Sequence, residues 1–420
     1  DVYKRQIWMY PSKRMIGMGL AATCALAGAA QAQVSVTVYG KLYPQITNYS
    51  SSDGSAVGTP VSTLVSPVTA QSRGTSGTVM ESSNSYIGFR GTEDLGGGLK
   101  TIFQLEGSIA IDSGALSSPG VMFNRNTYLG LQGNFGRLRM GRIDTTYKNI
   151  TDTMGFMGLQ SGNFVSASNI LAQRGFGTNS AHRFHERPSN MLDYRSPTFG
   201  GFTGYAGYAF GEVAGNSKRG GNLSVGVSYA SGPLYMAIAH EIHDQFYGGS
   251  RNIPTALRNI TGGTGSTFVA NPGTDSKDTS TRISTLYKFS DATRVEATFA
   301  VTKLSETGGT VGKFQTYRQN TWLVGAEHKM AGWTFIGTYG QAGAGSCSLV
   351  GGVACSTDGL NGSMLSLGTG YALSKRTSLF ALFSNMNNGK SASYSNAGEA
   401  PVPTTGQDLR QIALGIVHTF

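Results

Sequence analysis

Two short histidine-containing stretches have residue types that could bind a metal or transfer protons. They are HRFHE at 182–186 and HEIH at 240–243. The first lies in a polar stretch predicted to be a loop. The second lies in a predicted strand, where His240 and Glu241 would face opposite sides. Neither has the helical i, i+4 histidine pair of zinc proteases. With His328 and His418, these histidines are interpreted as solvated or interfacial, and no catalytic residue, metal or cofactor is predicted.

A pair of cysteines offers a second kind of chemistry. Cys347 and Cys355 are separated by SLVGGVA in a Gly- and Ser-rich stretch, and such a pair can close a small disulfide ring in an oxidising compartment. A metal site there would lack nearby His or carboxylate ligands. Cys24, the third cysteine, belongs to an apolar stretch near the N-terminus.

That apolar stretch has the pattern of a secretory signal peptide. Basic residues precede MIGMGLAATCALAGAAQAQ, which ends in small residues, and cleavage is expected before Gln33. We assign 15–32 to the signal peptide and 1–14 to its basic region or to sequence upstream of the start, with Met9 or Met15 as the initiator. The apolar run is shorter than the about 20 residues of a membrane-spanning helix.

Composition and charge narrow the class of protein. The 420 residues include 60 Gly, and only 39% are hydrophobic, with no long apolar run after the N-terminus. The net charge of the full sequence is +10. The predicted leader carries a net charge of +3, from Lys4, Arg5, Lys13 and Arg14 against Asp1, so the chain without it carries +7. Because the basic residues do not form runs and the chain is predicted to be exported, nucleic-acid binding is not expected.

Apolar and polar residues alternate along most of the chain. In SYIGFRGTEDLGGGLKTIFQLEGS (85–108), for example, Ile87 and Phe89 alternate with Gly88 and Arg90. This period of two predicts strands with one apolar and one wet face. The same pattern recurs near residues 36–42, 223–229, 282–289, 333–340 and 411–420.

Short and long connections also alternate. The short ones lie at 94–98, 134–136, 198–201, 231–233, 290–292, 331–332 and 374–376. The long polar ones lie near 47–78, 112–122, 145–189, 211–220, 245–278, 304–319, 343–361 and 389–407. Seven short turns and eight long loops predict sixteen antiparallel strands with all long loops at one end. Because hydrocarbon leaves an unpaired sheet edge unsatisfied, we predict an all-β, closed transmembrane barrel with its apolar face toward lipid and its charged face lining water.

Several segments together resemble the general porins of Gram-negative outer membranes, in particular those of beta-proteobacteria. They are VYGKLY, SYIGFRGTEDLGGGLKTIFQLEG, NRNTYLGLQGNFGRLRMGR, YRSPTFGGFTGYAGYAFGE, YALSKRTSLFALFSNMNNG and the terminal LGIVHTF. The resemblance covers nearly all of residues 33–420.

This resemblance implies an outer-membrane diffusion channel for ions and small hydrophilic solutes, built as a homotrimer among lipid and lipopolysaccharide. It also implies that the short turns are periplasmic, that the long loops are extracellular, and that the third loop (145–189) folds inward to narrow the pore. Phe420 resembles the family's signal for the barrel-insertion machinery, and its strand is expected to pair with the first strand near 36–43.

Alternation and resemblance together predict the constriction. In the alternation along their strands, Lys41, Arg90, Arg139 and Arg195 fall on the polar face, which is predicted to line the lumen. A charged side chain that faced lipid at the middle of the membrane would cost about 2–4 kcal/mol. The resemblance adds Arg125 to a basic wall with Lys41 and Arg195. Arg142 is in phase with apolar residues but stands where the chain bends toward the third loop.

The acidic side of the constriction departs from the family pattern. MGFMGLQSGNF replaces the usual PEFG, and the carboxylates of the loop region are Asp144, Asp152 and Glu186. The local excess of positive charge predicts a mild preference for anions. A solute-specific porin, a barrel adhesin and a barrel enzyme are the alternatives, of which the enzyme is disfavoured by the histidine patterns above.

Overall fold

The computed structural model describes residues 35–118, 120–153, 155, 163–177, 183–216, 218–262, 268–396 and 401–420. The predicted leader at 1–32, its cleavage point before Gln33, and His182 lie outside the described residues. In the described part of the chain, no helix is long and apolar enough to cross a membrane.

Sixteen barrel strands run antiparallel to their neighbours. They are β1 (Ser35–Leu42 and Gln45–Ser51), β2 (Ser76–Glu81 and Tyr86–Gly96), β3 (Leu99–Ala110), β4 (Thr127–Gly133), β5 (Gly136–Arg142), β6 (Met191–Arg195), β7 (Phe202–Ala209), β8 (Gly221–Ser231), β9 (Leu234–Asp244), β10 (Asp275–Lys288), β11 (Thr293–Thr307), β12 (Phe314–Met330), β13 (Trp333–Ala342), β14 (Gly362–Ala372), β15 (Thr377–Asn388) and β16 (Leu409–Thr419). The predicted sixteen-stranded antiparallel barrel is confirmed.

Short elements lie in the long connections. The described part of the third loop contains the helices α1 (Thr146–Thr151) and α2 (Ser168–Leu171). The other connections hold strand pieces at Ala115–Leu116, Ile260–Thr261, Val269–Ala270 and Ser346–Leu349, and 3₁₀ turns at Thr255–Leu257 and Val350–Gly352.

The barrel closes between its first and last strands. Gln45 to Ser51 pair with Gly415 to Leu409, and Lys41 pairs with Thr419. The expected pairing of the last strand with the segment near 36–43 is therefore confirmed at Lys41 and Leu42, and it continues through residues 45–51. On its other edge, the segment from Ser35 to Lys41 pairs with β2. Pro44 interrupts β1 between the two pairings, since proline has no N–H to donate to a ladder.

The two faces of each strand have opposite polarity, with the apolar face outside. On β11, Phe299 is 44% exposed on the outer surface, whereas the alternate residues Glu296, Thr298 and Thr302 are buried inside. A soluble protein would bury the apolar face instead. This inverted arrangement is the one required when lipid surrounds the sheet and a polar lumen lies within.

The seven short turns lie at one end, as predicted. At the first of them Gly97 and Gly98 both have positive φ, which suits glycine. One of the long connections is shorter than expected: β11 continues to Thr307 and β12 begins at Phe314, so only residues 308–313 join them instead of 304–319.

Aromatic side chains surround the short-turn end of the barrel. Phe202 packs on Tyr229 with ring centroids 4.6 Å apart, Tyr287 packs on Phe289, and Trp333 lies 4.9 Å from Tyr371. Such a girdle marks the boundary between hydrocarbon and headgroups.

The third loop folds into the barrel. The Tyr147 N–H at the start of α1 donates to Ser224 Oγ on the inner face of β8 (2.8 Å), and its hydroxyl lies 2.8 Å from Ser280 Oγ on β10. Farther along the loop, Ile170 of α2 packs in a buried cluster with Leu323 of β12. The loop therefore contacts separate parts of the inner wall, as the resemblance implies.

Candidate pore constriction

A cavity of about 250 Å³ lies between the inner wall and the third loop. The wall contributes residues of β1 to β3 and of the segments inside β2 and before β4, and the loop contributes residues from both of its ends. Its lining consists of Lys41, Asn84, Tyr86, Glu106, Arg125, Asn126, Asp144, Lys148, Asn149, Asp152 and Arg187.

On the wall side, Arg125 is held by three neighbours. Its Nε donates to the Glu106 carboxylate, its Nη1 donates to Asn84 Oδ1 (2.8 Å), and its guanidinium lies 4.6 Å from the Tyr86 ring centroid. The ammonium of Lys41 lies 5.7 Å from the centroid of the same ring. Arg125 and Lys41 thus share Tyr86 as an aromatic platform, which restrains where both charges can point.

On the loop side, Asp144 accepts from two cations. Lys148 Nζ lies 2.8 Å and Arg187 Nη2 lies 3.0 Å from Asp144 Oδ1. Burial opposes ionisation of Asp144, but Lys148 and Arg187 outweigh it and hold the pKa of this carboxyl well below its usual range. Thr145 accepts a hydrogen bond from the Lys148 N–H at the start of α1, which orients the first turn.

Asp152 forms the second acidic point of the loop. Its carboxylate lies 3.0 Å from His185 Nε2, and Arg282 of β10 approaches it at 3.8 Å. Burial, together with the charge of Lys148, lowers the pKa of His185 to about 4. His185 is therefore neutral near pH 7, and the Asp152 carboxylate joins the loop to the opposite wall through Arg282.

Comparison with known proteins identifies the family of this barrel. Residues 19–391 match the family model of Gram-negative porins. The chain belongs to the Gram-negative porins. An apolar outer surface, a polar lumen and an inserted third loop agree with that membership, and the protein is a component of the outer membrane.

Two relatives and one solved structure illustrate the similarity. This porin is 38% identical over 220 residues to outer membrane porin protein 32 of Delftia acidovorans, covering 51% of this chain and 55% of that protein. It is 30% identical over 243 residues to an outer membrane porin protein of Bordetella pertussis, covering 53% and 58%. The chain thus spans about half the length of the curated relatives it matches. An anion-selective porin from Comamonas acidovorans has the same fold, with a TM-score of 0.64, 23% identity, and coverage of 92% of this chain and all of that one.

The other arginines predicted for the wall of the porin lie apart from this cavity. The Arg90 guanidinium lies 4.6 Å from the Tyr39 ring centroid, on the lumen face that phase predicted. Arg139 is buried and donates from Nε and Nη2 to Asp193 Oδ2, at 2.9 and 2.7 Å. Arg142 donates to the Asn124 carbonyl and to Ser189 Oγ at the base of two loops.

Arg195 borders a separate cavity of about 270 Å³ near the short-turn end. It lies opposite Arg137 in the register of β5 and β6, and both arginines line this cavity. Its guanidinium lies 5.8 Å from the Tyr205 ring centroid. The structure therefore does not place Arg195 beside Lys41 and Arg125, although all three belong to the inner face.

Glu186 also lies outside the cavity lined by Lys41 and Arg125. Its carbonyl accepts from the Thr145 N–H at 3.2 Å, which joins the two ends of the third loop. Burial raises the pKa of the Glu186 carboxyl, and the nearby charge of Arg183 only partly offsets it.

The remaining histidines make local contacts. His243 lies 2.9 Å from Glu241 inside the barrel and stacks on Phe184 of the third loop, with centroids 4.2 Å apart. His240, His328 and His418 each lie 2.8 Å from a threonine hydroxyl across the strand pair. Within the described ranges, no three His, Cys, Asp or Glu residues are arranged to hold a metal ion.

The cysteines and the terminal phenylalanine have structural partners. Cys347 and Cys355 are joined by a disulfide, with their Cα atoms 5.7 Å apart. Phe420 exchanges two backbone hydrogen bonds with Gly40, and its ring covers Gly40 on the outer surface. Phe420 thus lies at the seam where the barrel closes.

Sequence reasoning did not single out Lys148, Arg187, Tyr86 or Arg137. One signal was available: Asp144 and Lys148 are four residues apart around a threonine, the spacing of an ion pair at a helix start. The place of Arg187 depends on the return path of the loop, which has no signature in the sequence.

Proposed function

We propose that this protein is a general diffusion porin, which passes ions and small hydrophilic solutes and prefers anions mildly. Its family membership and water-lined lumen support passive passage. Assembly as a homotrimer in lipid and lipopolysaccharide, which the resemblance implies, is part of the proposal.

The charge balance of the cavity supports the preference for anions. Lys41, Arg125, Lys148 and Arg187 provide four positive charges, and Glu106, Asp144 and Asp152 provide three negative ones, leaving one positive charge. Arg137 and Arg195 add two more at the second cavity, whose lining contains no carboxylate. An excess charge of this kind biases which ions cross a narrow pore. The anion selectivity of the Comamonas acidovorans porin is consistent with this sign.

Planar-bilayer recordings test the proposal. We expect single-channel steps, and in a KCl gradient a reversal potential of the sign given by chloride permeating faster than potassium. Lys41→Gln removes the excess charge from the cavity that Lys41 lines with Arg125 and should reduce the preference for anions. Lys375→Gln is the matched control, since Lys375 is exposed in the last short turn.

Each alternative has a distinct outcome in the same assay. A barrel that inserts but gives no current contradicts the channel function and favours an adhesin. Saturable block of the current by one sugar or organic acid favours a solute-specific porin. A reversal potential whose sign indicates cation selectivity contradicts only the charge argument and leaves the channel function in place.

A further inference from the structure

Two positive side chains lie directly opposite each other on the outer surface of the barrel. Lys303 of β11 pairs with Arg318 of β12. Both are exposed, and the residues next to each of them in the chain are buried toward the lumen. Directly opposed like charges in a sheet have Cβ atoms about 4.5–5.5 Å apart and destabilise the pair. An anion bound between them would remove that cost.

The neighbouring strands supply no opposite charge to this pair. Lys303 faces Thr279 on its other side, and Arg318 faces Ser346. In the portion of the chain that the structure describes, neither side chain forms an ion pair or a hydrogen bond. Nearby Lys277 is different, because it lies opposite Asp244.

The pair lies at the outer boundary of the hydrocarbon. Thr293 and His328 pair at the short-turn end of the same two strands, ten residues from Lys303 and Arg318 on each strand. Ten residues span about 33 Å along a strand, or about 25 Å along the barrel axis at a tilt of about 40°. That height equals the about 25 Å of the apolar band of such barrels.

The chemistry changes sharply around this height. Toward the membrane, Phe299 lies opposite Trp322, and Trp322 packs edge-on against Tyr339 with centroids 5.7 Å apart. Toward the loops, Ser305 lies opposite Thr316, so hydroxyl groups follow the cations. Apolar surface, two cations and hydroxyls therefore follow one another along the outer wall.

We propose that Lys303 and Arg318 bind the phosphate of a lipopolysaccharide headgroup in the outer leaflet. A phosphate accepts from the guanidinium fork and from the ammonium together. The acyl chains of the same molecule would lie along Phe299 and Trp322. Free phosphate matches the cations but leaves this adjoining apolar surface without a role, so the site takes the lipid.

The test measures binding of the purified, folded barrel to lipopolysaccharide in detergent with EDTA present, so that divalent bridges do not contribute. The variant is Lys303→Gln with Arg318→Gln. The control is Lys375→Gln with Arg376→Gln, which removes the same charge at an exposed short turn on the opposite end. Each cation near an anionic surface contributes about fivefold to affinity, so the double variant should bind about 25-fold more weakly. Phosphatase-treated lipopolysaccharide should bind both proteins with the same low affinity.

Heat-modifiable mobility on gels confirms that both variants are folded, and their conductance should equal that of the parent because the residues face outward. Unchanged affinity in the Lys303 and Arg318 variant overturns the site. An equal loss in the control overturns it too, since the effect would then be non-specific. Full binding of phosphatase-treated lipopolysaccharide would show that the phosphate is not what is recognised, and competition by inorganic phosphate alone at the same strength would assign the site to the free ion instead.

Discussion

The Glu106→Gln substitution should increase the preference for anions. Glu106 lines the cavity, accepts from the Tyr39 hydroxyl at 2.8 Å and forms an ion pair with Arg125. Glutamine has nearly the same shape, and Arg125 keeps its hydrogen bond to Asn84 and its contact with Tyr86. The change therefore removes one negative charge from the lining with little movement of the others.

The expected size follows from Coulomb's law. A chloride ion that passes about 6 Å from the carboxylate is repelled by about 0.7 kcal/mol in water, or about 0.4 kcal/mol after screening at 0.1 M salt. Potassium is attracted equally, so removing the charge shifts the difference between the two ions by about 0.8 kcal/mol. The permeability ratio of chloride to potassium should rise about fourfold. At 1 M salt the Debye length of about 3 Å should reduce the change to less than about 1.5-fold.

Reversal potentials of parent and variant in KCl gradients at low and high salt provide the assay. Glu93→Gln is the control, because Glu93 is in phase with the outward-facing Ile87 and Phe89. Heat-modifiable mobility confirms that the variants are folded. The reasoning fails if the ratio at low salt is unchanged, or if the shift is as large at 1 M as at 0.1 M, which would indicate a structural rather than an electrostatic effect.

Three further predictions concern other parts of the barrel. Arg195→Glu should shift selectivity toward cations with the stability of the folded barrel nearly unchanged, whereas Arg376→Glu at an exposed turn should shift it less; identical reversal potentials would exclude Arg195 from the ion path. Gly40→Val should impair closure, because a Cβ atom there would lie 2.6 Å from the Phe420 ring, and the heat-modifiable folded form should decrease in outer-membrane fractions. His185 has a folded-state pKa of about 4, below the about 6.5 of the unfolded chain, so its contribution to stability is present above pH 6.5 and is lost as pH falls toward 4. His185→Gln should therefore flatten the decrease in thermal midpoint between pH 7 and pH 4, and an unchanged decrease would contradict this.

Most of the fold could be predicted because lipid requires apolar residues on the outer face of each strand, and these alternate with polar residues on the lumen face. Val36 and Val38, for example, are 58% and 52% exposed on the outer surface, as their alternation indicates. The rule fails where strands continue beyond the membrane. Ser305 and Glu306 belong to β11 but lie in the predicted loop at 304–319, because outside the hydrocarbon both faces of a strand can be polar.

The site could be predicted in part, because alternation gives the face of a strand and not its height in the pore. Lys41 and Arg195 both face inward, yet they border different cavities. Their heights depend on the stagger of strands around the barrel, which is a property of the closed sheet. Arg125 precedes the first residue of β4, so alternation could not assign it, and only the resemblance did.

The seam between β1 and β16 makes completion of the barrel depend on the two barrel strands that are farthest apart in the sequence. Until β16 arrives, residues 45–51 have an unpaired edge on one side, and each unsatisfied backbone group costs several kcal/mol in hydrocarbon. Fifteen strands therefore form an open sheet that is unstable in lipid, and the sixteenth converts it to a sealed one. A chain that ended before β16 through premature termination could not close the sheet. The seam therefore prevents truncated chains from forming a water-filled pore in the outer membrane.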